Sequence, residues 1–285
     1  MTFLPHALQR WLPRRWRRVQ EPSAHLWRSV LERHPFLLSL PLVDQQRLRR
    51  LSVHFLLEKE FHGAHDLEIT DAMALTVAAQ ACLPLLHMRP PSGRRRRDPL
   101  QALDWYDDFV GIVIQPGAAL ARRQRADATG VVHHYDEALA GEAMDRGPIM
   151  LSWEDVDRAA LDAEHGSNLV IHEFVHKIDM RGMQAGGSPD GAPAAVGGLW
   201  GLRGQSRARE HWRATMSDAY ERFREQVAMA ERFGGEPPWL DAYAATDPAE
   251  FFSVTSEAYF VCRPRFELEF PSLAALYDGF FRAEA

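Results

Sequence analysis

The chain has 285 residues, 46% of them hydrophobic and 25% charged, with a formal net charge of -6. These are ordinary globular values, enough for one large domain or two small ones, and the acidic balance gives no global field that would favour nucleic acid. There is no run of 18 apolar residues to span a membrane, and two distant cysteines, Cys82 and Cys262, make neither a disulfide framework nor a four-thiolate metal site.

Residues 1–24 read as a basic, irregular extension. Arg10, Arg14, Arg15, Arg17 and Arg18 sit among Pro5, Pro13 and Pro22, and no apolar stretch follows as a secretory signal requires. A cytoplasmic location is expected. Residues 25–285 read as one domain. From 25 to 57 helical patterns alternate with breaks at Pro35 and Pro41, and Leu48, Leu51, Phe55 and Leu56 recur at helical spacing. A short strand is expected to end at Gly63. Thr70 then caps a helix running to about Leu86, apolar on most sides and so placed in the core.

Arg94 to Arg97 form a basic run read as a solvated loop. Phe109 to Ile114 is a β-branched strand closed by Gln115-Pro116-Gly117; Gly130–Tyr135 and Pro148–Trp153 are two more strands. A short helix opened by Ser152 or Glu154 is expected to end near His165-Gly166. The helix after it is capped by Ser167 or Asn168 and runs to about Met180. Residues 181–204 are rich in Gly, Pro and Ala, either a functional loop over a cleft or an insertion. A charged helix over 206–233 follows, with Trp212, Met216, Tyr220, Phe223 and Val227 on its apolar stripe. Helices near 248–261 and 271–282 finish the chain.

The chemistry lies in His172-Glu173-Phe174-Val175-His176, an H-E-x-x-H pattern. Residues four apart share a helix face, so both imidazoles can point at one metal ion, and Glu173 projects where a carboxylate can take a proton from a metal-bound water. The bare pattern also fits an amphipathic helix whose histidines are merely satisfied. A catalytic zinc needs a third protein ligand. No third His stands at the metzincin spacing, which would put Gly at 179 and His at 182 where the chain has Asp and Gly. A carboxylate on a later helix is therefore expected. Glu250 and Glu257 are seven apart, on one helix face, and both qualify. Asp247-Pro248-Ala249-Glu250 also reads as a helix start, with Glu250 as a capping-box residue that binds no metal. The residues alone leave the choice open. Asp179, one turn past His176, is a candidate to orient a ligand imidazole, with a surface ion pair as the alternative. Tyr243 by itself reads as a core aromatic.

The segments NLVIHEFVHKID (168–179) and DAYAATDPAEFF (241–252) resemble the Mlc titration factor A family of bacterial zinc peptidases. The stretches AAQACLPLL (78–86), VGIVIQPGAA (110–119) and LSWEDV (151–156) agree with it. The resemblance covers roughly residues 30–280. It implies a gluzincin, similar in its catalytic core to anthrax lethal factor, with one Zn2+ per chain. In that pattern His172, His176 and Glu250 are the ligands, Glu173 the base and Tyr243 the catalytic tyrosine; Glu257 becomes a supporting residue and the reserve ligand. The fold implied is α+β, a mostly helical zincin-like metallopeptidase domain with a small mixed sheet. Phe109 to Ile114 is expected, by analogy with other zinc peptidases, to be an edge strand flanking the substrate. The activity implied is peptide hydrolysis, aminopeptidase-like on small peptides. The alternative is a regulatory protein that sequesters a sugar-responsive transcriptional repressor, with no direct contact to nucleic acid.

Overall fold

The computed structural model describes residues 21–92, 97–117, 119–126, 132–139, 141–143, 145, 147–182, 190–191, 193 and 198–284. The arginines of residues 1–20, Arg94 to Arg96 of the basic run and most of 181–198 lie outside the described residues.

Helices α1 (Ala24–Arg33), α2 (Pro35–Leu38) and α3 (Leu42–Glu58) are broken where the sequence places Pro35 and Pro41. Proline lacks an N–H and fixes φ, so it starts a helix and does not continue one. Strand β1 (Glu60–Gly63) follows, then α4 (Asp71–Cys82). Thr70 caps α4, its hydroxyl accepting from Met73 N at 3.2 Å. From Leu75 to Cys82 every residue of α4 is buried, because the helix is apolar on nearly all sides. A 3-10 segment (Pro99–Tyr106) leads into β2 (Gly111–Gln115). Strands β3 (Ala119–Ala126) and β4 (Val132–Leu139) form an antiparallel hairpin, and β5 (Gly141–Ala143) and β6 (Ile149–Ser152) return to the main sheet.

That sheet has the order β1-β2-β6-β5. The first three strands are parallel, with Phe61 opposite Ile112 and Ile114 opposite Leu151, and β5 runs antiparallel to β6. Ile112, Ile114, Ile149 and Leu151 are buried on one face. The mostly helical α+β class with a small mixed sheet is thus the class found. The expectation that 109–114 forms an edge is corrected: β2 is bonded on both sides, by β1 and β6. Parallel strands favour the protected interior of a sheet, and a β-branched run marks a strand without saying whether its edges are paired. Among the described residues the edges are β1 and β5, and β5 lies against the helix that carries H-E-x-x-H.

Helices α5 (Trp153–Asp162), α6 (Leu169–Met180), α7 (Gln205–Phe233), α8 (Pro248–Val261), α9 (Arg263–Glu269) and α10 (Pro271–Phe281) complete the chain. Helix α6 packs along α8, and one hydrophobic cluster extends from Trp27 to Phe281. The Trp212 ring of α7 stacks on Tyr277 of α10, centroids 5.8 Å apart. None of the described helices is long and apolar enough to cross a membrane.

Candidate metal centre

Helix α6 begins where Gly166, at φ 79°, ends the preceding 3-10 turn; a side chain there would press on Trp239 and Ala258. Asn168 is the N-cap, its Oδ1 accepting from Ile171 N at 2.9 Å. Val170, Ile171, Phe174, Val175 and Ile178 bury the apolar side of the helix. His172 and His176, one turn apart, are left facing α8, with ring centroids 4.7 Å apart.

Helix α8 begins at Pro248 with Asp247 as N-cap. Asp247 Oδ1 accepts from Ala249 N at 2.8 Å and from Glu250 N at 3.0 Å. The Glu250 side chain is thereby left to reach across to α6. Its Oε2 lies 3.1 Å from His172 Nε2 and 3.3 Å from His176 Nε2, and the two Nε2 atoms are 3.1 Å apart. Among the described residues this is the one group of three side chains whose ligand atoms could share a metal ion. Tetrahedral zinc with bonds of about 2.0–2.1 Å holds its ligand atoms about 3.3 Å apart, so the triangle has the size of such a site.

The donor chemistry fits as well. Glu257 Oε1 is 2.7 Å from His172 Nδ1. A carboxylate accepts, so Nδ1 carries the proton and Nε2 of the neutral ring presents a lone pair. Ser253 Oγ stands 3.2 Å from His176 Nδ1 and can accept in the same way. Two imidazole lone pairs and a carboxylate oxygen then converge with no proton between them, which only a cation or an added proton relieves. With protons alone to share, burial works against charge on His172, but Glu257, Glu250 and Glu173 outweigh it and hold the imidazolium well above its usual range. Burial likewise opposes charge on Glu250, yet its bonds to the two imidazoles hold its carboxyl far below the usual range.

Glu173 is 4% exposed, and its Oε2 is buried with no hydrogen-bond partner. Burial pushes its carboxyl up to about 7, against the pull of His172 and His176. Tyr243 lies on a 3-10 turn (Ala242–Ala245) capped by Asp241, whose Oδ1 accepts from Tyr243 N at 2.9 Å. Its ring is 6.5 Å from the His172 ring and remains 40% exposed, so the chain does turn back before Asp247 and brings this tyrosine to the rim. Asp179 is buried, and its Oδ2 accepts from Gly191 N at 2.9 Å.

Glu250 and Glu257 therefore both meet His172, one at each ring nitrogen. Three supporting residues had not been singled out from the sequence. Ser253 lies three residues after Glu250 and four before Glu257, on the same face of α8, and that spacing was available as a signal. Gln80 accepts from Asn168 Nδ2 at 2.6 Å, and Asn168 N and Ser167 Oγ both donate to Glu257 Oε2. Lys177 donates to Gly147 O at 2.8 Å and sits 4.5 Å from the Phe109 ring centre, tying α6 to the turn before β6. Gln80 and Lys177 act across elements distant in sequence, where spacing carries no signal.

The family model for glucose-regulated metallo-peptidase M90 matches residues 8–282. Mlc titration factor A from Cronobacter sakazakii is 32% identical over 90% of this chain and 84% of its own length. Proteins of the same name from Escherichia fergusonii and Salmonella arizonae are 32% and 30% identical, over 87% and 93% of this chain and 82% and 94% of their own. A match of that extent, on a chain whose α6 and α8 bring His172, His176 and Glu250 together as described, has one consequence: the chain belongs to the glucose-regulated metallo-peptidase M90 family.

Proposed function

We propose that the chain is a zinc-dependent peptidase of gluzincin type, holding one Zn2+ through His172, His176 and Glu250. The observation that carries this reading is the convergence of two imidazole nitrogens and one carboxylate oxygen, 3.1–3.3 Å apart, each imidazole backed at Nδ1 by an acceptor. Two nitrogens and one carboxylate oxygen suit zinc and leave a position open, as in catalytic sites. When bound, zinc supplies a Lewis acid that acidifies water and polarises a carbonyl.

The chain's own residues do the rest. Glu173, with a carboxyl near neutrality and an unpartnered oxygen, accepts a proton from the attacking water and passes it to the leaving amine. The Tyr243 hydroxyl donates to the carbonyl oxygen as it gains negative charge. Glu257 holds His172 in the tautomer that keeps Nε2 free. The β5 edge beside α6 takes over from 109–114 as the strand available to an extended peptide. Small peptides, cut in the manner of an aminopeptidase in the cytoplasm, are the proposed substrates.

The test pairs zinc content with hydrolysis of amino-acid anilides. Wild type and Glu173→Gln should each carry one zinc, and hydrolysis should fall about 10²–10⁴-fold in the variant. A fully active Glu173→Gln would remove Glu173 as the base. The second reading, binding of a transcriptional repressor, rests on the name the relatives bear, titration factor. It is compatible with the first, and in that case Glu173→Gln would bind the repressor as wild type does.

A further inference from the structure

Gly191 is the point where three helices are tied together. Its N–H donates to Asp179 Oδ2 of α6 at 2.9 Å, and its carbonyl accepts from Trp212 Nε1 of α7 at 2.6 Å. On its third side it lies against the start of α8. A Cβ built on Gly191 would stand 2.4 Å from Pro248 O and 3.0 Å from Pro248 C. Its φ of +67° also belongs to the region that L side chains rarely adopt. Gly191, Asp179 and Trp212 are all buried.

The two helices that Gly191 touches besides α7 are the two that carry the ligand atoms. Asp179 lies three residues after His176, and Pro248 two before Glu250. We propose that Gly191, Asp179 and Trp212 form a clasp that sets the spacing of α6 and α8, and with it the reach of Glu250 to the two imidazoles. All three are positioning residues; their role is exerted through the backbone of the two helices. The proposal rests on the zinc reading given above. It deepens that reading by assigning the metal affinity to a contact outside the ligand set.

The magnitudes support the assignment. A bound constellation tolerates displacements of about 0.5 Å. Relieving the contact between an added Cβ and Pro248 O requires a shift of about 1 Å to reach ordinary van der Waals separation. Pro248 is covalently joined to Asp247 and Ala249, and the Asp247 side chain holds Ala249 N and Glu250 N, so a shift of this first turn carries Glu250 with it. A glycine is needed here for two reasons at once, conformation and room.

Gly234 offers a matched control. It caps α7 at the same φ of +67°, and nothing lies within 4 Å of a Cβ added there. Gly191→Ala and Gly234→Ala therefore share the backbone strain but not the contact with α8. Zinc affinity is measured by competition with a chelator, and thermal unfolding of the metal-free proteins is followed alongside. Gly191→Ala should bind zinc about 10–100-fold more weakly, the loss typical of groups that orient metal ligands, while Gly234→Ala binds as wild type does. Equal affinities for Gly191→Ala and wild type, or equal losses in the two alanine variants, would overturn the clasp. If Gly191→Ala does not fold, the decision passes to Asp179: Asp179→Asn keeps an acceptor for Gly191 N–H and should bind zinc as wild type does, whereas Asp179→Ala should bind it 10–100-fold more weakly. Equal binding by those two refutes the proposal. A wild-type protein that takes up no zinc refutes the metal reading itself, which the variants do not touch.

Discussion

Along α7 the charged side chains face water. Arg222 pairs with Asp218 and Arg224 with Glu221, while Trp212, Met216, Tyr220, Phe223 and Val227 turn to the core. In α6 and α8 the division is reversed in part: Glu173, His176, Lys177, Asp179, Ser253, Thr255, Ser256 and Glu257 are all buried. Exposed ion pairs contribute about 0–1 kcal/mol, whereas burying an ion costs several kcal/mol unless it is well partnered. The contrast shows that charge on α7 is left to water whereas charge on α6 and α8 is taken inside, and the carboxylates of Glu250 and Glu257 both meet His172 where the two helices face each other.

Three substitutions sharpen the contrast. The largest effect is expected for Glu250→Ala, which removes one corner of the ligand triangle; zinc content measured on the purified variant should fall from one per chain to near zero. Glu257→Ala leaves the triangle and removes the acceptor at His172 Nδ1, so zinc affinity by chelator competition should drop about 10–100-fold. The reverse order of these two would exchange the roles of ligand and supporting carboxylate. On α7, Arg222→Ala breaks an exposed pair one turn apart and should change unfolding free energy by less than about 0.5 kcal/mol. A loss several times larger would mean that α7 does not divide polar from apolar in the way described.

Much of this centre was legible in the sequence, and the limits of legibility have physical causes. Two histidines four apart and a proline-led helix start fix faces of helices, which is why His172, His176 and the Asp247 cap could be read directly. Spacing of seven fixes a common face for Glu250 and Glu257 but does not say which ring nitrogen each would meet; both meet His172, and the residues alone could not separate them. Tyr243 stands near His172 only because the 3-10 turn ahead of Asp247 folds back, a tertiary event with no local pattern. Strand order is non-local too. The β-branched run at 109–114 announced a strand but not its place between β1 and β6. Strand β3, with the sequence ALARRQRA, shows no apolar alternation and gave no signal. Helix α9 has seven residues with Pro264 at its start, too short for a periodic pattern.

The cap on α8 has a consequence for how the centre is loaded. Because Asp247 supplies the acceptor for Ala249 N and Glu250 N, the first turn of α8 is closed without help from the Glu250 carboxylate. The helix start therefore does not depend on an ion at Glu250. On the zinc reading proposed above, loading the site would be an exchange at a standing cradle rather than a folding event.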